Sequence, residues 1–166
     1  MISTIEFDTH YEVVRNRANG NCLFDSISYL MNCIPSEDGY SQVELNQEDV
    51  RTQVYEFYKD FDRDIKYPDD TIEQAIVLGL MFENQDENEH GDYISHDRNV
   101  INDRVWGSLV DILVCSILFD VDVNLFINHG NAFRLDKIKF QYKNKHTLDI
   151  LYNGVNHFEA LQTTFV

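Results

Sequence analysis

Asn19-Gly20-Asn21-Cys22-Leu23-Phe24 sets a cysteine directly after a small, turn-forming segment and directly before an apolar run. Leu23, Ile27, Leu30, Met31 and Ile34 recur at helical spacing, and Pro35 ends the pattern, so a helix is predicted over 22–33. Cys22 then falls in its first turn. A helix N-terminus carries unpaired amide N–H groups and a partial positive charge, which favour thiolate over thiol and lower a cysteine pKa. The backbone N–H groups of Asn19, Gly20, Asn21 and Cys22 are the candidate donors for a developing oxyanion beside that thiol.

A thiol nucleophile needs a base, and histidine is the usual one. Of the six histidines, His157 sits in the apolar segment Asn156-His157-Phe158-Glu159-Ala160-Leu161. His10, His90, His96, His129 and His146 lack such a setting. Residues i and i+2 of a strand share a face, so Glu159 could orient the His157 ring from the same strand, reaching its Nδ1. Taken singly, each residue has a blander reading. A lone cysteine is usually a buried apolar group, Asn19 a turn former and Glu159 a surface carboxylate.

Outward from these segments the chain separates into halves. Residues 10–17 read as a short strand entering the Ala18–Asn21 turn. Asn46-Gln47-Glu48-Asp49 opens a second helix, with Val50, Val54, Phe57 and Phe61 on one face. A polar loop is expected over 35–40 and a third helix after Thr71, with Ile72, Ala75, Ile76 and Leu80 inward. The acidic stretch 83–92 is expected to be an exposed loop. Residues 104–119 are apolar on nearly every side, which predicts a buried central helix with Trp106 in the core. Val121, Val123, Leu125 and Ile127 alternate with polar positions as a strand does. Asn128–Asn131 signals a hairpin, and further strands are expected over 138–142, 148–152 and 157–161. Helices first and mostly sequential strands last predict an α+β fold.

Composition excludes several classes. The chain has 166 residues, enough for a single domain spanning 1–166, with 43% apolar and 25% charged residues. No apolar run approaches the ~20 residues of a membrane span, and the opening Met-Ile-Ser-Thr-Ile-Glu-Phe-Asp lacks the basic and apolar regions of a signal peptide. Three cysteines without a Cys-x-x-Cys pair fit a reducing compartment such as cytoplasm. Cys33 and Cys115 are expected to be small buried apolar groups. Scattered histidines give no zinc spacing, so no metal or cofactor is expected. A net charge of −16 argues against nucleic acid and anionic membranes and suits a basic peptide.

Three blocks in order resemble the ovarian-tumour (OTU) family of cysteine proteases, most of which are deubiquitinases. Asn19 to Phe24 matches the family's Asp-Gly-Asn-Cys-Leu-Phe at every position but the first. Tyr93-Ile94 and Trp106-Gly107-Ser108, followed by an apolar helix, resemble the family's Tyr-Ile and Trp-Gly-Gly block. His157-Phe158-Glu159 resembles its His-aromatic-Asp/Asn ending. The resemblance implies a papain-like α+β fold, with Cys22 as nucleophile, His157 as base, Glu159 as orienting acid and Asn19 in place of the Asp that shapes the oxyanion loop. It implies a monomeric enzyme acting on ubiquitin or polyubiquitin chains, whose arginine-containing tail suits the acidic surface, in a host cytoplasm if the protein is viral or bacterial. Two alternatives stay open: a non-catalytic ubiquitin-binding module on the same fold, and a protease for a ubiquitin-like modifier or a viral polyprotein.

Overall fold

A computed structural model describes residues 2–6, 11–16, 19–35, 44–60, 86–87, 93–94, 100–128, 134–141, 144–153 and 157–163. The predicted third helix after Thr71, the 36–40 part of the expected loop, Phe61 and the 129–131 part of the expected hairpin lie outside the described residues. Among the described residues no helix is long and apolar enough to cross a membrane.

The main sheet has six strands: β1 (Ile2–Glu6), β2 (Tyr11–Val14), β5 (Val121–Ile127), β6 (Arg134–Phe140), β7 (His146–Tyr152) and β8 (Phe158–Thr163), in the order β1-β6-β5-β7-β8-β2. All pairs are antiparallel except β5 and β7, which run parallel with Val123 opposite Leu148 and Leu125 opposite Ile150. The strands are therefore less sequential than expected. β1 occupies the outer edge of β6, with Ile2 opposite Ile138, so β7 lies against the other side of β5. The β-branched Ile2, Thr4 and Ile5 carry the propensity for that edge strand.

Helix α1 (Cys22–Asn32) lies over β7 and β8, and α3 (Leu109–Leu118) lies over β5 and β6. Helix α2 (Gln47–Asp60) packs against both helices. The core joins Leu23, Phe24 and Ile27 of α1, Val50 and Val54 of α2, Ile112 and Val114 of α3, and Val123, Leu125 and Ile150 of the sheet. Burying one such side chain contributes about 1.5–3 kcal/mol. The opposite face of the sheet carries its own small cluster, Phe126 with Leu161 against Tyr11, Val13 and Leu151. β5 is consequently buried on both faces rather than alternating.

Helix α3 begins at Leu109, five residues after the predicted start, because Ser108 caps it. The Ser108 hydroxyl accepts from the Asp111 amide and Asp111 Oδ2 accepts from the Ser108 amide, a reciprocal capping box. Asp111 is fully buried and also accepts from the Tyr58 hydroxyl at 2.5 Å, tying α3 to α2. Trp106 precedes the helix and is 43% exposed, so it is not the core residue the apolar pattern suggested. Of the acidic 83–92 stretch, Asp86–Glu87 forms a short strand, β3, paired with β4 (Tyr93–Ile94), and the rest of the expected loop lies outside the described residues. Cys115 is buried as expected, whereas Cys33 is exposed past the end of α1 and accepts from Gln162 Nε2 at 3.4 Å.

Candidate active site

Cys22 is the first residue of α1 and 1% exposed. Its sulfur accepts from the Phe158 amide at 3.5 Å, across 136 residues of sequence. Phe158 opens β8, so the residue before it, His157, is brought to the start of α1. The His157 backbone is braced from the end of β7: its amide donates to Asn153 Oδ1 at 3.0 Å, and its carbonyl accepts from the Asn153 amide at 3.0 Å. The Phe158 ring stacks on Tyr152, centroids 4.4 Å apart.

Glu159 and His157 share a strand face, as the two-residue spacing predicts. Glu159 Oε2 stands 3.8 Å from His157 Nε2, with both side chains largely buried. The carboxylate thus faces Nε2, not the Nδ1 expected from sequence. His157 Nδ1 is buried and has no hydrogen-bond partner among the described residues. A carboxylate on the Nε2 side leaves Nδ1 as the nitrogen free to face the thiol.

The loop before Cys22 is built tightly. Asn19 is exposed, and its Oδ1 accepts from the Asn21 amide at 3.1 Å, an Asx turn that occupies one of the candidate oxyanion amides. Gly20 is buried with φ +94°, and a Cβ there would run into the Arg104 backbone carbonyl. Gly107 is needed for a second close approach, because a Cβ there would meet the Leu23 side chain. The Trp106-Gly107 block therefore packs directly against the cysteine helix.

Asn21 takes the N-cap position of α1 but makes no capping bond. Its Oδ1 accepts from the Arg104 amide at 2.8 Å and from Arg51 Nη2 at 2.7 Å, and its Nδ2 donates to Asp103 Oδ1 at 2.8 Å. The helix direction raises the Cys22 thiolate's stability, yet the thiol pKa lies above its ordinary value. Burial is the largest cause. Hydrogen bonds from the amides of Phe158, Leu23 and Cys22 itself oppose it, and the Asp25 charge adds to the rise. The expected lowering is therefore reversed: desolvation of a 1% exposed sulfur outweighs the helix N-terminus.

Two supporting residues escaped the sequence pattern. Asn16 follows β2, whose Val14 pairs with Ala160, so Asn16 comes level with Phe158. Its Nδ2 donates to the carbonyls of Cys22 and Phe158, both at 3.1 Å, and to Ser26 Oγ at 3.0 Å. One amide therefore clamps the cysteine segment to the histidine segment. Arg51 was hidden within an apolar helix face between Val50 and Val54; a cation at that spacing was the signal. A cavity of about 380 Å³ lies elsewhere, at the far end of α1, lined by Glu12, Cys33, His146 and Gln162 among others. Among the described residues no three His, Cys, Asp or Glu side chains are grouped to hold a metal ion.

The model of the OTU-like cysteine protease family matches residues 17–158. No curated protein matches the chain. Among solved structures, the OTU domain protease of Dera Ghazi Khan virus is 15% identical with a TM-score of 0.64, covering 97% of this chain and 86% of that one. The Hazara virus OTU, solved bound to ubiquitin, is 18% identical with a TM-score of 0.59, covering 99% and 90%. An OTU deubiquitinase from Wolbachia pipientis wMel, also bound to ubiquitin, is 19% identical with a TM-score of 0.58, covering 95% and 98%. These likenesses establish the fold, and the match over 17–158 takes in the cysteine loop, the Trp106-Gly107 block and His157: the chain belongs to the OTU-like cysteine proteases.

Proposed function

We propose that this protein is a deubiquitinase that hydrolyses the isopeptide bond at the ubiquitin C-terminus. The observation that carries the reading is the junction of Cys22 with the start of β8, where the Phe158 amide meets the Cys22 sulfur at 3.5 Å and Glu159 stands 3.8 Å from His157. Ubiquitin as substrate is supported by the Hazara virus and Wolbachia structures, both solved with ubiquitin bound. The net charge of −16 suits a basic C-terminal tail.

In this reading Cys22 rests as a neutral thiol, in keeping with its raised pKa. On attack, His157 Nδ1 takes the proton as Sγ bonds to the carbonyl carbon. Backbone N–H groups of the Asn19–Cys22 loop other than the occupied Asn21 amide stabilise the oxyanion. Collapse expels the lysine amine, which receives the proton from His157, and leaves a thioester. Water, activated by His157, then releases the ubiquitin carboxylate and restores the thiol. Glu159 holds the ring and stabilises its charged form.

The test is ubiquitin carrying a C-terminal propargylamide, incubated with wild type and with Cys22→Ala and weighed by intact mass spectrometry. A one-to-one adduct on wild type alone is expected. No adduct on a folded wild type would overturn ubiquitin hydrolysis and favour a binding module or another substrate.

A further inference from the structure

Arg51 is 1% exposed, the largest of the fully buried side chains among the described residues. Burying a guanidinium costs several kcal/mol unless its donors are matched. Here each of its three nitrogens donates, and among the described residues every one of the bonds ends on a neutral oxygen. Nε donates to Gln47 Oε1 at 2.7 Å and Nη1 to the Val100 carbonyl at 2.8 Å. Nη2 lies within 3.1 Å of the Gly20 carbonyl and 2.7 Å of both Asn21 Oδ1 and the Val105 carbonyl. The guanidinium also covers the Phe24 ring, 4.3 Å from its centroid. Among the described residues no carboxylate accepts directly from the guanidinium; Asp103, Asp111 and Asp25 act on its charge only through space, and its immediate partners are neutral dipoles that do not cancel its field. That field falls on the start of α1, where Asn21 gives up its capping role to bind Arg51.

We propose that Arg51 is a positioning residue for the thiol centre: its fork holds Gly20 and Asn21 so that the amides of the cysteine loop are aimed, and its charge favours the Cys22 thiolate and the oxyanion formed beside it. This rests on the reading of Cys22 as the nucleophile. Three segments meet on the one guanidinium, the 19–21 loop, α2 and the 100–105 turn, so a shift of any of them is resisted at the site itself. Burial pulls the Arg51 pKa down, and Asp103, Asp111, Asp25 and a charged Cys22 oppose that fall.

Two rates separate aim from charge. Alkylation of Cys22 by iodoacetamide across pH 6–10, followed by peptide mass spectrometry, reads the thiol alone. kcat on a fluorogenic ubiquitin C-terminal amide reads the whole site. The groups bearing on Cys22 are Asp25 on α1, Arg51 from α2, Tyr152 at the end of β7, and His157 beside Phe158 with Glu159 behind it. Arg51→Met is expected to move the alkylation midpoint to higher pH and to lower kcat by about a hundredfold. Arg51→Lys keeps the charge and loses the fork, so its midpoint stays near wild type while kcat falls about tenfold. Gln47→Met, at the solvent-facing start of α2, removes one bond to the guanidinium and is expected to lower kcat a few-fold, about threefold, with KM unchanged.

A purely structural role would lower the melting temperature of each variant and leave both rates at wild-type values well below melting. That result in any folded Arg51 variant overturns the proposal, and if neither folds, wild-type kcat in Gln47→Met overturns it. Failure of the ubiquitin reading would show instead as a wild type with no amidase activity whose alkylation profile still responds to Arg51.

Discussion

Glu159 faces Nε2 of His157 at 3.8 Å, longer than a hydrogen bond, so its contribution is more electrostatic than directional in the resting site. Glu159→Gln, which keeps an oxygen acceptor and loses the charge, is expected to lower kcat/KM about tenfold. Glu159→Ala is expected to lower it about a hundredfold, less than the loss from removing the base itself. Steady-state hydrolysis of a ubiquitin amide checks both, and wild-type rates in Glu159→Ala would remove this carboxylate from the mechanism. The thiol gives a second expectation. Because burial raises the Cys22 pKa, the neutral form dominates at pH 7 and the alkylation rate keeps climbing beyond the pH at which a free cysteine levels off. A plateau below that of free cysteine would contradict it. Residue types and their two-residue spacing were legible here in sequence. The ring nitrogen that Glu159 addresses was not, because it depends on how the Asn153 brace turns the His157 backbone.

At the scale of elements, α1 and α3 begin in opposite ways. α3 carries a complete capping box between Ser108 and Asp111, and Ser108→Ala is expected to cost about 1 kcal/mol in a denaturant titration with unchanged m-value. α1 has no side-chain cap, since Asn21 is engaged by Arg51, Arg104 and Asp103. It is held by burial of Leu23, Phe24 and Ile27 instead. Gly20→Ala should therefore be more damaging than a surface change. It forces a Cβ into the Arg104 carbonyl at a φ of +94°, and it is expected to lower both melting temperature and kcat. Equal melting temperatures for Gly20→Ala and wild type would contradict the tight loop. The helices at 22 and 47 were visible from apolar period and capping chemistry. The five-residue delay of α3 was not, because an unbroken apolar run hides the capping Ser108 within it.

For the whole molecule, stability rests on the layer between the helices and the sheet. Ile150 is fully buried on the strand that joins the parallel β5 pairing to the antiparallel β8 pairing. Ile150→Ala is expected to cost about 2–5 kcal/mol, read as a lower urea midpoint. Because β7 also carries the Asn153 brace at its end, the same variant is expected to slow ubiquitin hydrolysis at 25 °C, while conservative Ile150→Val stays near wild type. Loss of stability with unchanged activity in Ile150→Ala would separate the core from the site.

The linear order of residues determined the chemistry on offer here: a cysteine after a turn and before a helix, a histidine with a carboxylate two positions on, and an α+β division set by the change of apolar period. These are short-range properties, dictated by backbone geometry over one or two turns or one strand. The tertiary structure decided what long-range contact alone can decide. It put β1 on β6 and β7 beside β5, and it left Trp106 at the surface. It also reversed the pull on the Cys22 thiol by burying it. Above all it drew Asn16 and Arg51, unremarked in a linear pattern, into the site, because hydrogen-bond demand and desolvation are set by neighbours distant in sequence.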